Sequence, residues 1–190
     1  MASFTVIRDV GESLKTFIQG AVSELSAADA VVFDSPAELT PAASPKLSIF
    51  LYKVMREPNL RNLSPAPISV TEMGYPPLVI DLMYIMTPFS TNLETEFIIV
   101  EKLLQAFHDT AVLRDTQLQG NLQADGNTEL KIVPDELTLD EINKLWTAFP
   151  NKAYRLGVGY KVSPVRIPSS RVEPIRRVTS RSTSYSGSNL

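Results

Sequence analysis

Leu78-Val-Ile-Asp-Leu-Met-Tyr-Ile-Met86 is the stretch that decides the fold. Pro76-Pro77 precedes it and Thr87-Pro88 follows it. Apart from Asp81, apolar residues fall on both faces of the strand it predicts, which marks a strand covered on two sides. Leu47-Ser-Ile-Phe-Leu-Tyr-Lys-Val54 has the same character. Leu47, Ile49 and Leu51 face one way there, and Phe50, Tyr52 and Val54 the other. Both segments predict central strands of one sheet.

Working outward, residues 5–25 place Val6, Ile7, Val10, Leu14, Phe17, Ile18, Ala21 and Leu25 at helical spacing and predict one amphipathic helix. Val31-Val-Phe33 reads as a short strand ended by Asp34-Ser-Pro36, and residues 35–46 as a loop. Residues 57–77 form a long connection containing Pro58, Pro65, Pro67, Pro76 and Pro77, and long connections of this kind are usually functional. Thr91-x-x-Glu94 is a capping-box pattern. It opens a helix to about Asp109 with the stripe Phe97, Val100, Leu103, Leu104 and Phe107. A polar connection, 110–128, carries the turn signal Asp125-Gly126-Asn127. Glu129 to Val133 is a strand. Thr138-x-x-Glu141 opens a short helix that Pro150 ends, and residues 153–165 alternate as a half-buried strand. The order predicts an α/β (α+β) fold with a mixed, mostly antiparallel sheet packed by helices.

Composition narrows the function. The 190 residues carry a net charge of −3, no cysteine and one histidine. Disulfide frameworks, thiol chemistry and multi-histidine metal sites are excluded. Composition alone argues against most metalloenzymes and a redox protein. With no catalytic motif found, the expectation is no cofactor, no metal, no nucleic acid as partner and no enzyme, a hydrolase using His108 or Asp81 being the disfavoured alternative. Leu78 to Phe89, the most apolar region, is far too short to span a bilayer, and the N-terminus is no secretory signal. The chain is expected in the cytoplasm when made, with no direct membrane insertion.

The charge is unevenly placed. Residues 1–165 carry a net −7, whereas residues 166–190 hold five arginines and one acid, a net +4. Seven serines and two prolines among those last 25 residues leave little to bury. The division predicted is an α/β domain over 1–165 and an extended basic arm over 166–190. Arg171, Arg176, Arg177 and Arg181 are candidates for docking on an acidic protein surface, with Val172, Ile175 and Val178 as small apolar anchors.

Other candidates read more simply as structural. His108 closes a helix, where a cation suits the dipole, and no nucleophile elbow accompanies it. Asp81 in an apolar strand needs a partner, expected at a sheet edge or in a tyrosine, arginine or backbone N–H. Asp135, Glu136, Asp140 and Glu141 surround a helix start, where acids complement the dipole. Gly157-Val-Gly159 lies within a strand and is no dinucleotide motif. Trp146 sits at helical spacing and reads as core.

Four stretches carry a family resemblance. They are Leu47–Val54 with Glu57-Pro-Asn-Leu-Arg-Asn-Leu63, Tyr75-Pro-Pro-Leu-Val-Ile-Asp-Leu-Met-Tyr-Ile-Met-Thr-Pro88, Leu103-Leu-Gln-Ala-Phe-His-Asp109, and Leu137-Thr-Leu-Asp-Glu-Ile-Asn-Lys-Leu-Trp-Thr-Ala-Phe149, which leads to the strand with Leu156 and Tyr160. Together, over about residues 4–165, they resemble the cap or tail-terminator proteins of phage-tail-like contractile injection systems, the Pvc16 N-terminal class. That resemblance implies a structural cap, a ring typically of six copies on the distal end of an inner tube. It implies the inner tube protein, the sheath protein and further copies of the chain as partners, with the last sheath layer held through the arm. It carries over no catalytic residues. A non-ring adaptor or a baseplate-side component of the same particle stays open as the alternative.

Overall fold

The computed structural model describes residues 4–57, 64–149 and 152–174. Helix α1 spans Val6–Ala21. Strands β1 (Val31–Val32), β2 (Lys46–Arg56), β3 (Ala66–Pro67), β4 (Glu72–Gly74) and β5 (Leu78–Phe89) follow. Then come α2 (Leu93–Asp109), β6 (Val112–Arg114), β7 (Glu129–Pro134), α3 (Leu139–Thr147), β8 (Val158–Ile167) and β9 (Val172–Pro174). The main sheet runs β1-β2-β5-β8-β7-β6, and a small second sheet runs β3-β4-β9. Among the described residues only β1–β2 is parallel; the other strand pairs are antiparallel. The mixed, mostly antiparallel α/β sheet expected from the sequence is the sheet observed.

β5 lies beside β2 and β8 in the middle of the main sheet. Leu82, Tyr84 and Met86 join the core built with Val10, Leu14 and Ile18 of α1 and Ile99, Leu103 and Phe107 of α2. Ile85 and Phe89, on the opposite face, are also buried. There Phe149, just after α3, meets Phe50 of β2 edge-on, with ring centroids 5.7 Å apart. Two apolar faces on one strand therefore require helices on both sides of the sheet.

Several expectations are corrected. The first helix stops at Ala21, and Ser23–Leu25 forms a separate 3₁₀ turn because Lys102 of α2 holds Ser23 and Glu24 at 2.7–2.9 Å. The α2 cap is Asn92, not Thr91; the Asn92 Oδ1 accepts the Glu94 N–H at 2.9 Å. β2 is two-sided only in its first half. β1 pairs with Leu47 and Ser48 and goes no further, and Lys53–Arg56 are exposed. The long connections contain β3, β4 and β6, while residues 58–63 and Pro150 lie outside the described residues.

The last strand begins at Val158 rather than 153. Upstream side chains are committed elsewhere. Arg155 binds buried Glu96 at 2.5 Å and lies 5.2 Å from the centre of the Phe89 ring, while Tyr154 meets Trp146 edge-on. The glycines of this segment answer to close packing. A Cβ at Gly159 would fall 2.7 Å from the Asp135 carbonyl oxygen.

Asp9 ties α1 to the loop before β7. Its carboxylate accepts from Thr5 (2.9 Å), Arg8 (2.9 Å) and the Asn121 N–H (3.1 Å), and it is 2% exposed. Gly120 sits against it at φ +63°, where a Cβ would overlap the carboxylate. Burial pushes the Asp9 carboxyl up, but the Asn121, Thr5 and Arg8 bonds outweigh it and hold the group below the usual carboxylate range. Asp9→Ala is expected to cost about 2–3 kcal/mol by urea unfolding, because it strands the Asn121 N–H. The folded value is depressed, so this stabilisation is complete above the unfolded value of about 4. It fades as pH falls through the folded value, so the stability gap between wild type and Asp9→Asn should shrink below about pH 4.

Candidate assembly interface

The two sheets meet where β8 gives way to β9. β9 pairs with β4 in the register Gly74↔Val172, Met73↔Glu173 and Glu72↔Pro174. The Tyr75 N–H donates to the Arg171 carbonyl at 3.3 Å. The Arg171 guanidinium lies 4.1 Å from the centre of the Tyr75 ring and donates to the Glu173 carboxylate at 2.5 Å. The Tyr75 hydroxyl donates to the same oxygen at 2.7 Å. The Tyr75 hydroxyl and then the Arg171 guanidinium hold the Glu173 carboxyl below its ordinary range. The carboxylate in turn pushes the Tyr75 phenol up. Half-buried Tyr75 and the exposed Arg171 and Glu173 thus clamp β9 beside β4.

A second tie lies just upstream. Asn127 is fully buried. Its amide donates to the Arg166 carbonyl at 2.9 Å and accepts the Arg166 N–H at 2.7 Å. One side chain thereby occupies both backbone groups as a neighbouring strand would. Neither Tyr75 nor Asn127 stood out in the sequence as a holder of the arm, because their partners lie 98 and 39 residues away.

Of the predicted arm residues, Arg171 is engaged by Tyr75 and Glu173, and Val172 is half exposed on β9. Ile175, Arg176, Arg177, Val178 and Arg181 lie outside the described residues. β8 carries the chain through Ile167, so residues 166–174 are bound to the two sheets.

The remaining candidates are scattered. Asp81 sits at the register shift between Ile80 and Leu82, opposite β8, where it accepts from the Ser163 hydroxyl. Its partner is thus a serine on a central strand, a correction to the edge, tyrosine, arginine or backbone expected. Asp135 accepts from Tyr52 at 2.5 Å, and burial, then that carboxylate, push the phenol up. Glu141 closes the Thr138 capping box, and Asp140 pairs with Lys144 at 2.6 Å. Trp146 packs edge-on against Phe149. His108 is exposed beside Leu104, Phe107 and Tyr160. Among the described residues no group of three or more histidines and acids is placed to hold a metal ion, and no helix is long and apolar enough to cross a membrane.

The clamp is local, which sets its test. Tyr75→Ala should change global stability by less than about 1 kcal/mol, since its partners are exposed. Tryptic cleavage after Arg171 should nevertheless accelerate several-fold in limited proteolysis, because β9 loses its anchor.

The fold has solved counterparts. The chain matches the sheath/tube terminator of an extracellular contractile injection system, PVC, solved in the extended state, with a TM-score of 0.69 and 19% identity over 96% of this chain and 64% of that one. It also matches the tube-terminating cap of the anti-feeding prophage, with a TM-score of 0.62 and 19% identity over 93% of this chain and 60% of that one. The chain therefore spans less than two thirds of the length of either protein. No curated protein matches it. The family model of the Pvc16 N-terminal domain covers residues 9–181, from the first turn of α1 past the β9 clamp, and the chain belongs to that family.

Proposed function

We propose that this protein caps the distal end of the inner tube of a contractile injection system, ending tube polymerisation as a structural component rather than as an enzyme. The observation that carries this reading is a fold shared over nearly the whole chain with two tube terminators. In the particle its partners are further copies of itself, the inner tube protein and the sheath protein. The copies close into a ring, six in number, through head-to-tail interfaces in which two different faces meet. A chain with an acidic body and a basic C-terminal segment supplies two such faces. The segment beyond the β9 clamp reaches out to the last sheath layer and to the next copy of the ring. Arg176, Arg177 and Arg181 carry its charge, since Arg171 is committed to Tyr75 and Glu173.

The test is the tube-length distribution, by negative-stain electron microscopy, of particles from a strain lacking the protein. Overlong or ragged tubes with poorly retained sheath are expected. Normal lengths with normal sheath would overturn the cap and favour an adaptor or baseplate-side component.

A further inference from the structure

The outer face of α2 is the surface the monomer leaves unexplained. The sequence places Phe97 and Leu104 in the buried stripe of this helix. In the structure Ile99, Leu103 and Phe107 fill the core, while Phe97 is 51% exposed and Leu104 47%. Leu93 (59%) and Ile98 (44%) extend the same exposed surface. Leu93, Phe97 and Leu104 follow one another at spacings of four and seven, one above the next on a helix. Large apolar side chains grouped on a surface mark an interaction site.

This face is also acidic. Glu94, Glu101 and Asp109 are exposed along it, and none of them is in an ion pair among the described residues. The one lysine of α2, Lys102, is engaged with Glu24 at 2.7 Å. An occupant must therefore bring small apolar groups spaced between cations. Ile175-Arg-Arg-Val-Thr-Ser-Arg181 has that composition, with three arginines and no acid.

Reach decides whose segment it is. The β9 clamp hangs from Tyr75, at the Leu78 end of β5. α2 starts at Leu93, just past the Phe89 end. Twelve residues of strand at about 3.3 Å each put these ends roughly 35–40 Å apart. Val178 lies four residues beyond Pro174 and extends at most about 14 Å from it. The two apolar anchors of a chain thus cannot reach Leu93 and Phe97 of the same chain.

We propose that Ile175–Arg181 of one copy lies along the Leu93–Asp109 helix of a second copy, with Ile175 and Val178 on its apolar stripe and the arginines against Glu94, Glu101 and Asp109. The neighbour is supplied by the ring proposed above, and the contact names what the first part of the arm holds.

The chain has no cysteine, so engineered cysteines report this contact without background. Phe97→Cys and Val178→Cys are prepared as separate full-length proteins, with unchanged melting temperatures confirming that each is folded. They are oxidised alone, mixed, and as the double variant. A covalent dimer that forms in the mixture and needs both cysteines is the expected result. Three outcomes overturn the proposal: no mixed dimer at the highest soluble concentration, a Phe97→Cys dimer alone, or a cross-link within one chain of the dilute double variant. As a second reading, Arg176→Glu with Arg177→Glu should weaken self-association in sedimentation equilibrium about tenfold, as lost charge complementarity does. Glu94→Arg with Glu101→Arg on the other copy should restore part of it. Self-association unchanged by the arginine reversal would also overturn the proposal. Purified chain is used throughout, so a failed cross-link is distinguishable from a failed cap, which is read from tube length.

Discussion

The burial of β5 on both faces is the constraint from which the rest of the structure follows. A strand whose two faces are apolar cannot border solvent on either. α1 and α2 cover one face, while α3 and the segment leading to β8 cover the other. The sheet must also extend sideways, because a central strand needs paired backbone on both edges. β2 and β8 supply that pairing, and each stays in register by placing one polar group at an irregularity. Asp81 meets Ser163 at the shift between β5 and β8. Tyr52 turns to Asp135 at the shift between β2 and β5. At both irregularities the polar side chain finds a partner across the fold.

The central strands and the α3 cap were legible because each is written in contiguous residues. Periodicity in Leu47–Val54 and Leu78–Met86 and the Thr138-x-x-Glu141 spacing are local signals. What sequence reading missed depends on distant partners. Nothing near Asn127 announces that its amide will replace a strand beside Arg166. Nothing near Arg155 announces that it will leave the ladder for Glu96, which moves the start of β8 from 153 to 158. Phe97 and Leu104 fit a helical stripe as well as Ile99 does, and only the packed neighbours show which side of α2 faces the core. The charge pattern pointed to residues of which only Arg171 and Val172 are described, and the clamp on Arg171 was not legible, because Tyr75 and Glu173 are brought together by the fold.

The β3-β4-β9 sheet holds Val172–Pro174 against β4, just upstream of the basic segment proposed to dock. In the proposed assembly, a segment held at Val172–Pro174 would lose less entropy on docking than one free from Ile167 onward. Charge complementarity of the kind proposed for that segment favours encounter and correct register more than raw affinity. An assembly built this way should be sensitive to salt during its formation.

The central claim is that the chain stops a tube from growing, and length in a purified system tests it most directly. Inner tube protein is polymerised from a seeded end, with the full-length chain added at a small molar fraction of the tube subunits, and tube lengths are measured by electron microscopy. The account predicts that elongation halts at a fraction matching about one ring per tube end, leaving short tubes with added density at one end. Tubes that lengthen at the same rate with and without the chain would contradict it.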